Sequence, residues 1–166
     1  MPSLRTIVLS LTLLASAASA ERLKAVWSSG SFSTIGDQGG SYDGFAIVRE
    51  NGEAIYSTDT PNGKTPCSNT NGGHIFQIEG DCWNVGRQFH CLSTFGGKPK
   101  NCDVRDQDGN TMGEATAKTD TTWIGISIGM EATCVVEFDS DDASHCPVDD
   151  GNGPLHVVKD NHGDTL

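Results

Sequence analysis

Basic residues are scarce in this chain of 166 residues: 11 Lys and Arg stand against 22 Asp and Glu, a formal net charge of −11. A polyanion repels phosphate backbones and anionic headgroups, so nucleic-acid or membrane-surface binding driven by bulk charge is not expected. Aromatic residues make up 7% of the chain and hydrophobic residues 36%, too much for intrinsic disorder but enough only for a modest core. No apolar run after residue 20 is long enough to cross a bilayer, so no membrane insertion is expected. The chain has no CxxC pair, no HExxH, no Gly-x-Ser-x-Gly elbow and no phosphate-binding glycine loop, so no motif names a reaction. N-glycosylation is not expected either, because Asn69-Thr70-Asn71 and Asn110-Thr111-Met112 both miss the required third position.

What is present begins with a leader. Residues 1–20 carry Arg5, an apolar run over 7–14 and the small residues Ala18-Ser19-Ala20, the layout of a secretory signal peptide with Glu21 as the first mature residue. The expectation is a secreted, extracellular protein. Loss of Arg5 with the leader makes the mature chain still more acidic. Residues 21–155 read as a single disulfide-tied domain, and 156–166 as a polar, irregular tail.

The six cysteines are Cys67, Cys82, Cys91, Cys102, Cys134 and Cys146. An even count on a secreted chain points to three disulfides, and the wide spacing speaks against a structural zinc. Six cysteines allow 15 pairings. Because Cys134 ends an apolar run and Cys146 follows an acidic loop, a Cys134–Cys146 bridge is expected, with the other four stapling the region 67–102.

The chain contains 20 glycines, well above the ordinary share of roughly 7%, and they are spread as punctuation between short apolar segments. Residues 45–56 read as a hairpin in which Asn51-Gly52 supplies a type I′ turn. Strands are also expected at 22–33, at 74–79 continuing through 82–84, at 87–93, at 123–130 and at 133–138, with another tight turn at Asp108-Gly109. No window has the period of an amphipathic helix. The predicted fold is all-β: an antiparallel β-sandwich or small barrel of seven to eight short strands.

Three features could carry chemistry. The acidic end contains Glu137, Asp139, Asp141, Asp142, Asp149, Asp150, Asp160 and Asp164 against Lys159 alone, which permits a calcium-stabilised carbohydrate-binding module but reads first as a solvated acidic surface. Residues 106–114 carry Thr111 where an EF-hand loop needs its sixth-position glycine, and Glu114 comes too early for the twelfth ligand, so they read as a turn. In the cysteine-dense middle, Arg87, Lys98, Lys100 and Arg105 accompany Trp83, Phe89 and Phe95, a candidate binding surface for an anionic partner or a carbohydrate; the competing expectation makes those aromatics core. A small secreted hydrolase of ribonuclease or glycosidase type could use His74 or His90 with Glu79 and Arg87, as acid, base and charge stabiliser. The first expectation remains a non-enzymatic protein with no catalytic set, metal or cofactor.

Together the leader, the six cysteines from Cys67 to Cys146, the Gly- and Asn-rich short strands and the missing enzyme motifs resemble the small secreted cysteine-rich proteins of fungi, a class that includes effectors, elicitors and small toxins. The resemblance implies a non-enzymatic β-fold that binds a host or competitor protein or a cell-surface glycan. A monomer is expected. Its contact surfaces would be the long loops 58–73 and 95–105, since recognition on rigid scaffolds concentrates in loops.

Overall fold

Short β-branched and aromatic runs separated by Gly, Asn and Asp leave the chain little choice but strands and tight turns. The computed structural model describes residues 20–33, 39–83, 85–118, 130–141, 146–149 and 154–160. They form nine strands: β1 Arg22–Ser33, β2 Gly39–Arg49, β3 Ala54–Thr58, β4 His74–Gly80, β5 Arg87–Ser93, β6 Pro99–Arg105, β7 Thr111–Thr116, β8 Met130–Asp139 and β9 Leu155–Asp160. A single 3-10 turn at Pro61–Gly63 is the one helical element among the described residues.

The strands make two antiparallel sheets, ordered β3-β2-β1-β8 and β7-β6-β5-β4-β9. The all-β expectation holds, with one or two strands more than foreseen. Just past β7 the chain reaches the other sheet, where Lys118 and Thr133 exchange both backbone hydrogen bonds at 2.9 Å, so one corner of the sandwich is closed. Closing a corner removes an exposed strand edge.

Three hairpins share one turn. At residues 49–53 the Arg49 N–H donates to the Glu53 carbonyl (2.9 Å), the Gly52 N–H donates to the Arg49 carbonyl (3.0 Å), and only Gly52 has positive φ, +88°. This is a three-residue loop closed by a left-handed glycine, not the expected type I′ turn, which needs two positive φ values. The same pattern recurs at 94–98 with Gly97 (φ +85°) and at 106–110 with Gly109 (φ +87°).

Two further expectations change. Cys82 and Trp83 do not extend β4: they lie in a turn in which the Trp83 N–H donates to the Gly80 carbonyl at 3.4 Å. The tail expected to be irregular from residue 156 instead supplies most of β9, which pairs with β4. Residues 133–138 do sit within β8, whereas 123–129 lie outside the described residues.

Alternation within the strands decides what enters the core. His74, Phe76 and Ile78 of β4 point inward, as do Arg87, Phe89 and Cys91 of β5. Phe45 from the first sheet meets Phe76 at 4.9 Å and Phe89 at 5.2 Å from the second, both edge-to-face, and Trp27 stands 5.2 Å from Phe45. Edge-to-face contact sets the positive rim of one ring against the negative face of the next.

A polar knot closes one end of the core. The Arg49 side chain, 6% exposed, donates to Glu21 (2.8 Å), to Glu53 and to the Cys146 carbonyl. Glu21 in turn accepts from the Cys146 N–H (2.9 Å) and is paired through its own backbone with Ser140. The residue expected to begin the mature chain is therefore held at both backbone and side chain.

Candidate functional site

The long loop 58–73 carries several polar residues that sequence alone would leave solvated, yet it is fastened along its length. Asn62 donates to Asp160 (2.8 Å), and the Lys64 ammonium lies 3.1 Å from the same carboxylate, whose side chain is fully buried. His74 donates through Nδ1 to the Thr65 carbonyl at 2.7 Å. Ser68 bridges to β5, donating its N–H to the Cys91 carbonyl (3.3 Å) and accepting from the Ser93 N–H (2.9 Å). His90 donates through Nε2 to the Gly72 carbonyl at 2.7 Å. The next residue, Gly73, has φ +107° and lies so close to the His90 ring and the Cys91 carbonyl that a methyl group there would collide with both.

Beside this loop, the 94–98 turn stands up from the end of β5. Between them lies an open groove of about 630 Å³. Its lining combines hydroxyl and amide groups, from Thr65, Ser68, Asn69 and Ser93, with Lys64, Cys67, Phe95 and Gly97. Phe95 is 98% exposed, a whole aromatic ring presented to solvent. The volume falls within the range of roughly 300–1,000 Å³ found for small-ligand sites.

The structure separates the four predicted cations. Arg87 points into the core, 2% exposed, and is paired with Asp141, so it is no part of a binding face. Its place in the inward alternation of β5 is the reason. Arg105 is tied to Asp103 and contacts His90 on the outer face of the second sheet. Lys98 and Lys100 are exposed, Lys98 in the turn that carries Phe95. The aromatics divide too: Trp83 and Phe89 are core, while Phe95 is surface.

The hydrolase set does not assemble. In β4 and β5 the register places His74 opposite Cys91 and Ile75 opposite His90, so the two imidazoles lie on opposite faces of the sheet. His74 is fully buried against Phe76, and both ring nitrogens of His90 are engaged, by Asp103 and by Gly72. Glu79 is exposed while Arg87 is internal. Burial disfavours the Asp103 carboxylate, but hydrogen bonds from His90 and Arg105 outweigh it and hold its pKa below the usual value.

The acidic residues of the C-terminal part are dispersed as separate pairs: Asp139 with Arg22 (3.4 Å), Glu137 with Lys24 (3.8 Å), Asp141 with Arg87 and Asp160 with Lys64. Asp142, Asp150 and Asp164 lie outside the described residues. The Asp106 carboxylate is consumed within its own turn by Asn110 and Asp108, which lowers its pKa and leaves it a turn residue. Among the described residues the one metal-type cluster is Cys67, Cys91 and Cys102, whose sulfurs lie within 4.8 Å of one another. Two of those sulfurs are bonded to each other.

Cys91 and Cys102 face each other directly on β5 and β6, with Cα atoms 4.1 Å apart, and form a disulfide. The expected Cys134–Cys146 pairing is not seen: Cys146 lies against Cys82 instead. Cys134 sits beneath the other sheet, its sulfur 3.7 Å from the Ala115 carbonyl, and burial pushes its pKa up to about 12.

Comparison with known protein families, with curated proteins and with solved structures finds no match. No helix among the described residues is long and apolar enough to cross a membrane.

Proposed function

We propose that this protein is a secreted, disulfide-tied β-sandwich that binds neutral glycans at the surface of a host or competitor cell, through the groove between loop 58–73 and the 94–98 turn. The observation that carries the reading is the Phe95 ring, 98% exposed in a groove whose lining also offers hydroxyl and amide groups. A sugar ring offers C–H bonds on one face and hydroxyls at its edge. An exposed aromatic suits the first, and Thr65, Ser68, Asn69 and Ser93 suit the second.

The charge pattern favours a neutral sugar. Lys64, the cation in the lining, already faces Asp160, and the chain as a whole repels anions. Preorganisation supports affinity: the loop is held by His74, His90 and Ser68 before any ligand arrives, so little entropy is lost in ordering it. Export rests on the leader pattern of residues 1–20, and the role between organisms on the resemblance to fungal effector-like proteins. A glycan array probed with the oxidised chain 21–166 tests the proposal. Binding to neutral oligosaccharides that is lost in Phe95→Ala supports it; an array blank for every neutral glycan refutes it.

A further inference from the structure

We infer that the mature protein carries a second disulfide, between Cys82 and Cys146, closing the chain over residues 82–146. The two thiols are in hydrogen-bonding contact and both residues are buried, at 1% exposure each. Each cysteine sits on backbone that is independently fixed. Cys82 lies in the turn after β4, where the Asp81 N–H donates to the Pro154 carbonyl (3.1 Å) and the Trp83 N–H to the Gly80 carbonyl (3.4 Å). Trp83 is further anchored by its indole, which donates to the Ile78 carbonyl at 3.1 Å. Cys146 is held by both its N–H, to Glu21, and its carbonyl, to Arg49.

Two sulfurs already in contact on fixed backbone can be joined with little rearrangement, which is the condition a protein disulfide must meet. The other four cysteines have different neighbours, Cys134 with its sulfur 3.7 Å from the Ala115 carbonyl. Cys91 and Cys102 are bonded to each other, and Cys67 is grouped with that pair.

Bond formation requires a disulfide oxidant, the class that supplies oxidising equivalents to exported proteins. One cysteine thiolate attacks the oxidant's disulfide and gives a mixed disulfide with release of one oxidant thiolate. The other cysteine, deprotonated, then displaces the second oxidant sulfur. The protein loses two protons and two electrons, and the oxidant leaves as a dithiol.

The bridge ties the turn after β4 to the segment that binds Glu21 and Arg49. Glu21 and Arg49 remain attached to that segment by hydrogen bonds, and neither bridged cysteine lines the glycan groove.

Peptide mapping of the secreted protein tests the assignment. Thiols are blocked at acidic pH in denaturant, without reduction, and the chain is cut with trypsin and a Glu/Asp-specific protease. Cleavage at Glu79 or Asp81, Arg87, Lys100, Arg105 and Glu137 places all six cysteines on different peptides. The expected result is the Cys82 peptide joined to the Cys146 peptide, lighter by two hydrogens than the reduced pair. Blocked Cys82 or Cys146, or either joined to another cysteine, overturns the assignment. Cys82→Ser provides a second reading: relative to the wild type it should add one blockable thiol, at Cys146, and a newly labelled position other than Cys146 counts against the pairing. The wild-type map stands even if that variant fails to fold.

Discussion

His90 holds Gly72: its Nε2–H reaches the Gly72 carbonyl at 2.7 Å from the outer face of β5, while Nδ1 meets the Asp103 carboxylate. A histidine that composition alone offers as a catalytic base is thus a clamp on the loop that walls the groove. His90→Ala should loosen residues 68–73 without unfolding the sandwich. Hydrogen exchange at the Ser68 and Gly73 amides is expected to speed up, with glycan affinity falling about tenfold, roughly 1.4 kcal/mol. Unchanged exchange there would show that the clamp does not matter.

Phe95 should separate binding from stability. Its ring packs on nothing, so Phe95→Ala is expected to change unfolding free energy by no more than about 0.5 kcal/mol. Binding should lose about 2 kcal/mol, a factor of roughly thirty, as for an aromatic anchor of an interface. Calorimetry on one preparation of the variant measures both.

The core predicts the reverse. Phe45 touches Trp27, Phe76 and Phe89 and joins the two sheets, so Phe45→Ala should cost about 3–5 kcal/mol. Urea unfolding measures this. A cost below about 1 kcal/mol would mean that the sheets do not meet as described.

Gly97 illustrates the recurrent turn. At φ +85° a side chain is strained, although there is open space around it. Gly97→Ala should cost about 1 kcal/mol, and Gly97→Asn less, because Asn tolerates the left-handed region. The same order is expected at Gly52 and Gly109, which share the geometry.

Acid should weaken the fold partly through Asp103. Its pKa in the folded protein lies below the unfolded value of about 3.9, so between those values the unfolded chain binds more protons. Stability from this group is fully present above about pH 4 and is lost as pH falls through the folded pKa. Denaturant midpoints followed from pH 5 to pH 2 should fall less steeply in Asp103→Asn than in the wild type.

Much of this architecture was legible in residue patterns. The alternation in 22–33 and 87–93 marks β1 and β5 with their observed bounds, because apolar residues on one face leave a strand no other register. The turn at Asn51-Gly52 was legible as a turn but not as a type, since a Gly after a polar residue suits both two- and three-residue loops. The strand Leu155–Asp160 was hidden: its edge position and polar His156, Lys159 and Asp160 give it little apolar signal, and its pairing with β4 is a long-range contact. At the site, loop 58–73 could be named from its composition, but of 95–105 only the start is a turn, since 99–105 is the strand β6. The closing of the groove could not be named, because it depends on Ser68 bridging to β5 and on His74 and His90 holding the Thr65 and Gly72 carbonyls. Arg87 was misread for the mirror-image reason: a cation in a strand looks exposed until a buried partner such as Asp141 is seen.

The central claim is that the groove beside Phe95 takes a neutral glycan. Amide and aromatic NMR shifts of the oxidised chain 21–166, titrated with a neutral oligosaccharide selected on the array, test it most directly. The account predicts saturable shifts concentrated at Ser68, Asn69, Ser93 and the Phe95 ring, absent from the Phe95→Ala variant. Shifts centred on another face of the sandwich, or no saturable shift at all, would contradict it.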